Sequence, residues 1–68
     1  MESFTITGEY IHLNQLLKLL KWCENGGEAN AAIENGAVSV NGIVETRKRN
    51  KIMPGMKVQF DGMEVEVG

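Results

Sequence analysis

Several residue types are scarce in this chain, and each scarcity excludes something. Its 68 residues include one cysteine, one histidine, one proline, one tryptophan and one tyrosine. A lone cysteine (Cys23) cannot close an intramolecular disulfide. With a lone histidine (His12) it cannot build a multi-cysteine zinc or iron–sulfur site, so no metal or other cofactor is expected. No apolar run approaches the roughly 20 residues of a membrane helix. The opening Met-Glu-Ser-Phe-Thr carries no basic-then-apolar signal. A cytoplasmic location without a membrane partner is the expectation. The length leaves room for one domain, residues 1–68, with a small core. An apolar fraction of 43% with 24% charged residues describes an ordinary globular chain.

Net positive charge is also missing. The formal charge is −2, which argues against a general polyanion binder. The distribution is more informative. The basic residues are Lys18, Lys21, Arg47, Lys48, Arg49, Lys51 and Lys57, and four of these seven fall within residues 47–51. No acid occurs between Glu45 and Asp61. An acidic chain with one concentrated basic segment points to local contact with an anion.

The hydrophobic pattern supplies the elements. Residues 3–7 alternate, as in a half-buried strand, with Phe4 and Ile6 inward. Gly8 to His12 read as a turn. Leu13, Leu16, Leu17 and Leu20 follow helical spacing, and Leu19 and Cys23 widen that arc, which predicts a helix over 13–23. Asn14, Lys18 and Lys21 take the opposite face. Asn25 and Glu28 form a capping-box pattern for a second helix, with Ala29, Ala32 and Ile33 as its apolar stripe and Gly36 as its stop. Val38 to Val40 is a strand. Asn41-Gly42 is a type I′ hairpin signal, and Ile43 and Val44 begin the return. Residues 45–52 read as a polar loop and Pro54-Gly55 as a turn. Residues 57–60 and 63–67 form two strands around Asp61-Gly62. The fold class is α+β, with two N-terminal helices packed on a small, mostly antiparallel sheet.

These elements and their residues resemble the RNA-binding domain named after ribosomal small-subunit protein S-four, also called the alpha-L motif. The resemblance runs from Leu13 to Phe60. It rests on Leu13-x-x-Leu16-Leu17, the break at 24–27, Glu28-Ala29 with Ile33, Gly36-x-Val38-x-Val40-Asn41-Gly42, and Pro54-Gly55-x-x-Val58. The run from Glu45 to Lys51 looks like the short, stand-alone bacterial branch described as ribosome-associated. The resemblance implies RNA binding, plausibly of ribosomal RNA or a ribosomal particle, by a non-enzymatic domain. Longer members often have Ser-Arg at the second helix start and a basic residue just inside it. This chain has Asn25, Gly26 and Asn30 there, which implies either weaker RNA binding or a contact moved onto 47–51.

The candidate RNA-binding residues are Lys18, Lys21, Gly27, Asn30, Asn41, Arg47, Lys48, Arg49 and Lys51. Lysine and arginine neutralise phosphates, and arginine adds bidentate geometry. The competing reading of 47–51 is a solvated loop, and that of the two lysines a solvated helix face. Gly26-Gly27 is first a tight turn, with phosphate contact at backbone N–H groups as the second reading. Asn41 is first a turn residue. Trp22 either stacks on an unpaired base or covers the sheet edge, and the second reading is preferred. His12 and Cys23 do not suggest a catalytic pair, because Cys23 falls on the apolar arc.

The leading expectation is a monomeric RNA-binding module without a small-molecule substrate, whose cations gather on one side. The alternative is a protein–protein adaptor docking on ribosomal or RNA-processing proteins. A ubiquitin-like sulfur carrier fits poorly, because Val-Glu-Val-Gly has strand character instead of a flexible Gly-Gly tail.

Overall fold

The computed structural model describes residues 2–68, Glu2 by its backbone alone. The chain runs β1 (Glu2–Phe4), β2 (Ile11–His12), α1 (Leu13–Leu19), α2 (Gly26–Glu34), β3 (Val38–Val40), β4 (Ile43–Val44), β5 (Lys51–Ile52), β6 (Lys57–Phe60) and β7 (Met63–Val67). One sheet has the order β1-β7-β6-β3-β4, and β2 and β5 form a separate two-stranded ribbon. Only β1 and β7 pair in parallel; the other pairs are antiparallel.

Alternation along the strands sorts the side chains. Val40, Val58 and Val65 align across β3, β6 and β7, and all three are buried. Ser39, Gln59 and Glu64 form the adjacent row on the other face, where the Gln59 amide donates to Glu64. Helix α1 contributes Leu13, Leu16 and Leu17 to the core, and α2 contributes Ala29 and Ile33. Both hairpins have the backbone that a type I′ turn demands. Asn41 and Gly42 have φ of 52° and 84°, and Asp61 and Gly62 have 51° and 80°.

Both helices end in the same way. In α2 the Gly36 N–H donates to the Ile33 carbonyl and the Ala37 N–H to that of Ala32, a Schellman motif with Gly36 left-handed at φ 79°. In α1 the Lys21 N–H donates to Lys18 and the Trp22 N–H to Leu17, the same motif, with Lys21 left-handed at φ 62°. This stop ends α1 at Leu19, four residues before the spacing predicts. Leu19 lies off the centre of the stripe and is 56% exposed, so it does not widen the arc, whereas Cys23 is buried beyond the helix end.

Three further expectations change. The helices follow two strands and do not open the fold. The first strand covers 2–4 only, although Phe4 and Ile6 do pack against the core. The turn at 8–12 and the loop at 45–52 each end in a two-residue strand, and the two pair with each other: Ile11 opposite Ile52, His12 opposite Lys51. Two-residue strands are too short to show a period in sequence.

Candidate nucleic-acid interface

The basic segment is fastened to the first helix by its backbone. His12 is the N-cap of α1, but its side chain caps nothing. Instead the Leu13 N–H donates to the Asn50 carbonyl at 2.9 Å, and the Asn14 N–H to the Lys48 carbonyl at 3.0 Å. Two of the orphan donors at the helix start are thereby satisfied by the segment that carries the cations. A turn closed by the Asn50 N–H on the Arg47 carbonyl holds residues 47–50 compact. The fully buried Ile52 then anchors the far end.

The helix pair lies alongside. The Asn14 amide donates to Asn30 Oδ1 at 3.0 Å, joining α1 to α2 through two half-buried residues. That bond engages the carbonyl oxygen of Asn30 and neither of its amide donors. Lys48 Nζ reaches Glu34 Oε2, at the end of α2, at 3.6 Å. The start of α1 therefore meets the middle of α2. Lys18 follows Asn14 by one turn on the same flank of α1. Lys18 and Lys21 are both exposed. Asn25 Oδ1 accepts from the Glu28 N–H at 2.8 Å, as the capping pattern requires, while Glu28 Oε1 accepts from the Glu24 N–H at 3.4 Å.

Two of the four clustered cations have acidic partners. Arg47 holds Glu45 through Nε at 2.9 Å and Nη2 at 3.2 Å, and the Arg47 N–H adds a bond of 2.9 Å. These bonds keep the Glu45 carboxyl below the usual carboxylate range and push the Arg47 guanidinium up. Lys48 has Glu34. Among the described residues no carboxylate lies within ion-pair distance of Arg49 or Lys51. Exposed pairs of this kind are weak, so a phosphate can displace them.

Asn41 stands apart. Its backbone N–H donates to the Lys57 carbonyl at 2.8 Å, and its Oδ1 accepts from the Lys57 N–H at 2.9 Å. It lies at the end of β3 opposite Val38, whose carbonyl takes the Glu45 N–H where the chain leaves for the basic segment. Trp22 is half-buried and stacks on Phe60 with centroids 6.3 Å apart, covering the end of the sheet. Cys23 is buried, and burial, with the Glu28 charge second, pushes its thiol up. His12 and Cys23 lie beyond opposite ends of α1, so they form no nucleophile–base pair. Among the described residues no group of three or more histidine, cysteine, aspartate or glutamate side chains is placed to hold a metal, and no helix is long and apolar enough to cross a membrane.

Sequence reasoning missed the ribbon β2–β5 and what it carries. Tyr10 and His12 lie 5.6 Å apart at a tilt of 34°, and Lys51 Nζ sits 4.9 Å from the centre of the Tyr10 ring. The Tyr10-x-His12 alternation was the only signal available, and it is too short to distinguish from a turn.

Comparison with known proteins agrees with this architecture. The YbcJ protein of Escherichia coli strain K12, provisionally named an RNA-binding protein, is 50% identical over 58 residues, covering 85% of this chain and 83% of its own length. YbcJ of Shigella flexneri matches to the same extent. The solution structure of E. coli YbcJ, described as revealing an alpha-L motif involved in RNA binding, superposes with a TM-score of 0.75 at 46% identity. The match covers 98% of this chain and 86% of that one. The resemblance read from residues 13–60 extends to both sides of that stretch: with the S4 domain model matching residues 4–68 on this fold, the chain belongs to the S4 domain family.

Proposed function

We infer that the chain binds RNA, and we propose that it does so as a non-enzymatic, monomeric cytoplasmic module that docks on structured RNA, ribosomal RNA foremost. Family membership and the names of its YbcJ relatives support the RNA partner. The observation that carries the mode of binding is the capping of α1 by the carbonyls of Lys48 and Asn50. It fastens the backbone of Lys48 and Asn50 to the start of α1, and the surface we propose consists of Arg47, Lys48, Arg49 and Lys51 with Lys18, Lys21 and the backbone of Gly27. The Asn30 amide donors lie on the seam of α1 and α2, and Asn41 takes the smallest part. The cations would meet phosphates whose spacing an RNA fold sets, so recognition is by shape with little reading of base sequence.

The test replaces Arg47, Lys48, Arg49 and Lys51 together by glutamine, leaving the capping carbonyls in place. Filter binding to a structured ribosomal RNA fragment is measured against salt. The unmodified chain is expected to lose affinity with a log–log slope that includes about −3 from these four side chains, and the variant to lose that part of the slope. Unchanged affinity and slope in the folded variant would refute this placement of the surface.

A protein-docking reading has one observation in its favour: edge strand β4 exposes Ile43 at 73% and Val44 at 56%. Sedimentation with ribosomes before and after nuclease separates the two, because an RNA-mediated association is lost and a protein-mediated one persists.

A further inference from the structure

Beside the basic segment lies a cleft of about 330 Å³, lined by Thr5, Thr7, Gly8, Tyr10, Ile11 and Gln15 among others. Among the described residues lining it none is acidic. A second hollow, of about 490 Å³, opens over the sheet with Asp61 and Glu64 in its wall, where a phosphate would be repelled. These hollows therefore differ in the ligand charge they tolerate.

Tyr10 joins this cleft to the cations. Pairing of His12 with Lys51 puts Tyr10, His12 and Lys51 on one face of the β2–β5 ribbon, with Tyr10 and Lys51 in the diagonal relation that long side chains can span. The Tyr10 ring is 42% exposed, and the Lys51 ammonium lies over it. A cation–π contact at an exposed site is weak. A nucleobase stacked on the same ring gains more, and the displaced ammonium remains within reach of that nucleotide's phosphate. Thr7 and Gln15 offer a hydroxyl and an amide, both able to donate and accept, to a base edge or a 2′-hydroxyl.

We propose that Tyr10 and the cleft beside it hold one unpaired base of the bound RNA, with Lys51 moving from the ring to that nucleotide's phosphate. This rests on the RNA-binding reading above and adds a ligand class to it: a single-stranded nucleotide flanking the structured element. The cleft is a stacking site, and the basic segment is the phosphate site next to it.

The full chain is titrated with two RNA probes, a blunt stem and the same stem bearing a short unpaired tail that contains 2-aminopurine. The tail is expected to raise affinity about tenfold and to quench the 2-aminopurine emission on binding. In Tyr10→Leu the tailed-to-blunt affinity ratio falls to unity and the quench is lost, whereas Tyr10→Phe keeps both. Gln15→Glu, which sets a carboxylate in the cleft, removes them independently should Tyr10→Leu fail to fold. A ratio of unity in the unmodified chain, or a ratio that persists in both Tyr10→Leu and Gln15→Glu, overturns the stacking site while the RNA reading stands. Failure of both probes to bind at all overturns both readings.

Discussion

The five-stranded sheet and the two-stranded ribbon divide the work of the molecule. Among the described residues, the sheet supplies five of the twelve buried core residues, Val38, Val40, Val58, Val65 and Val67, and its hairpins turn on Asn-Gly and Asp-Gly. The ribbon contributes only Ile52 to that core, yet it carries Tyr10's neighbours and fixes the end of the basic segment. On the proposed function, stability and recognition are concentrated in different places and meet at α1, whose apolar side faces the core and whose first N–H groups hold the segment.

The sharpest way to break this division is to damage the shared element. Leu16 is fully buried on α1, and Leu16→Ala should cost about 2–5 kcal/mol. A domain of this size has roughly 3–10 kcal/mol in total. Urea denaturation of this variant should therefore show a large loss of midpoint, and RNA binding should decline with the folded fraction. A loss below about 1 kcal/mol would mean that α1 matters little to the core.

A smaller and opposite effect is expected at the end of that helix. Lys21 occupies the left-handed position that Gly36 fills in α2. A left-handed non-glycine residue costs about 1–2 kcal/mol, and glycine loses about 0.5–1 kcal/mol more chain entropy on folding. Lys21→Gly should therefore stabilise the fold by about 0.5–1 kcal/mol while weakening RNA binding, because a cation is lost from the proposed surface. Thermal melting and filter binding should move in opposite directions. Parallel movement would remove Lys21 from that surface.

The smallest effect sharpens the electrostatics. Glu34 holds Lys48 at the surface. Glu34→Gln should leave stability within about 0.5 kcal/mol and tighten RNA binding roughly twofold, because Lys48 then meets phosphate without a competing carboxylate. Weaker binding in this variant would indicate that the ion pair positions Lys48 and does not compete for it.

The sheet was legible because its signals are local. Positive φ at 41–42 and 61–62 needs the residues found there, and alternation over 57–60 and 63–67 is long enough to register. The second helix was legible through Asn25, Glu28 and Gly36. The end of α1 was not, since its left-handed residue is a lysine and no residue type announced the stop. The ribbon escaped for a different reason. Two residues on each side carry no period, and their partners lie some forty positions apart. Of the candidate site, the clustering of charge in 47–51 could be read directly, but the carbonyls of Lys48 and Asn50 capping a helix far back in the chain could not, because backbone acceptors have no sequence signature. Tyr10 escaped with the ribbon.

Helix α1, at seven residues, is shorter than a helix that persists alone in water. Two of its first donors find acceptors only after the chain has passed Asn50 and folded back. Helix nucleation and assembly of the cationic surface are therefore a single long-range event, paid for by loop closure over more than thirty residues. An emerging chain that has reached only its second helix would lack both a settled α1 and the 47–51 segment of the proposed surface. On that proposal, full binding competence arrives with cooperative folding.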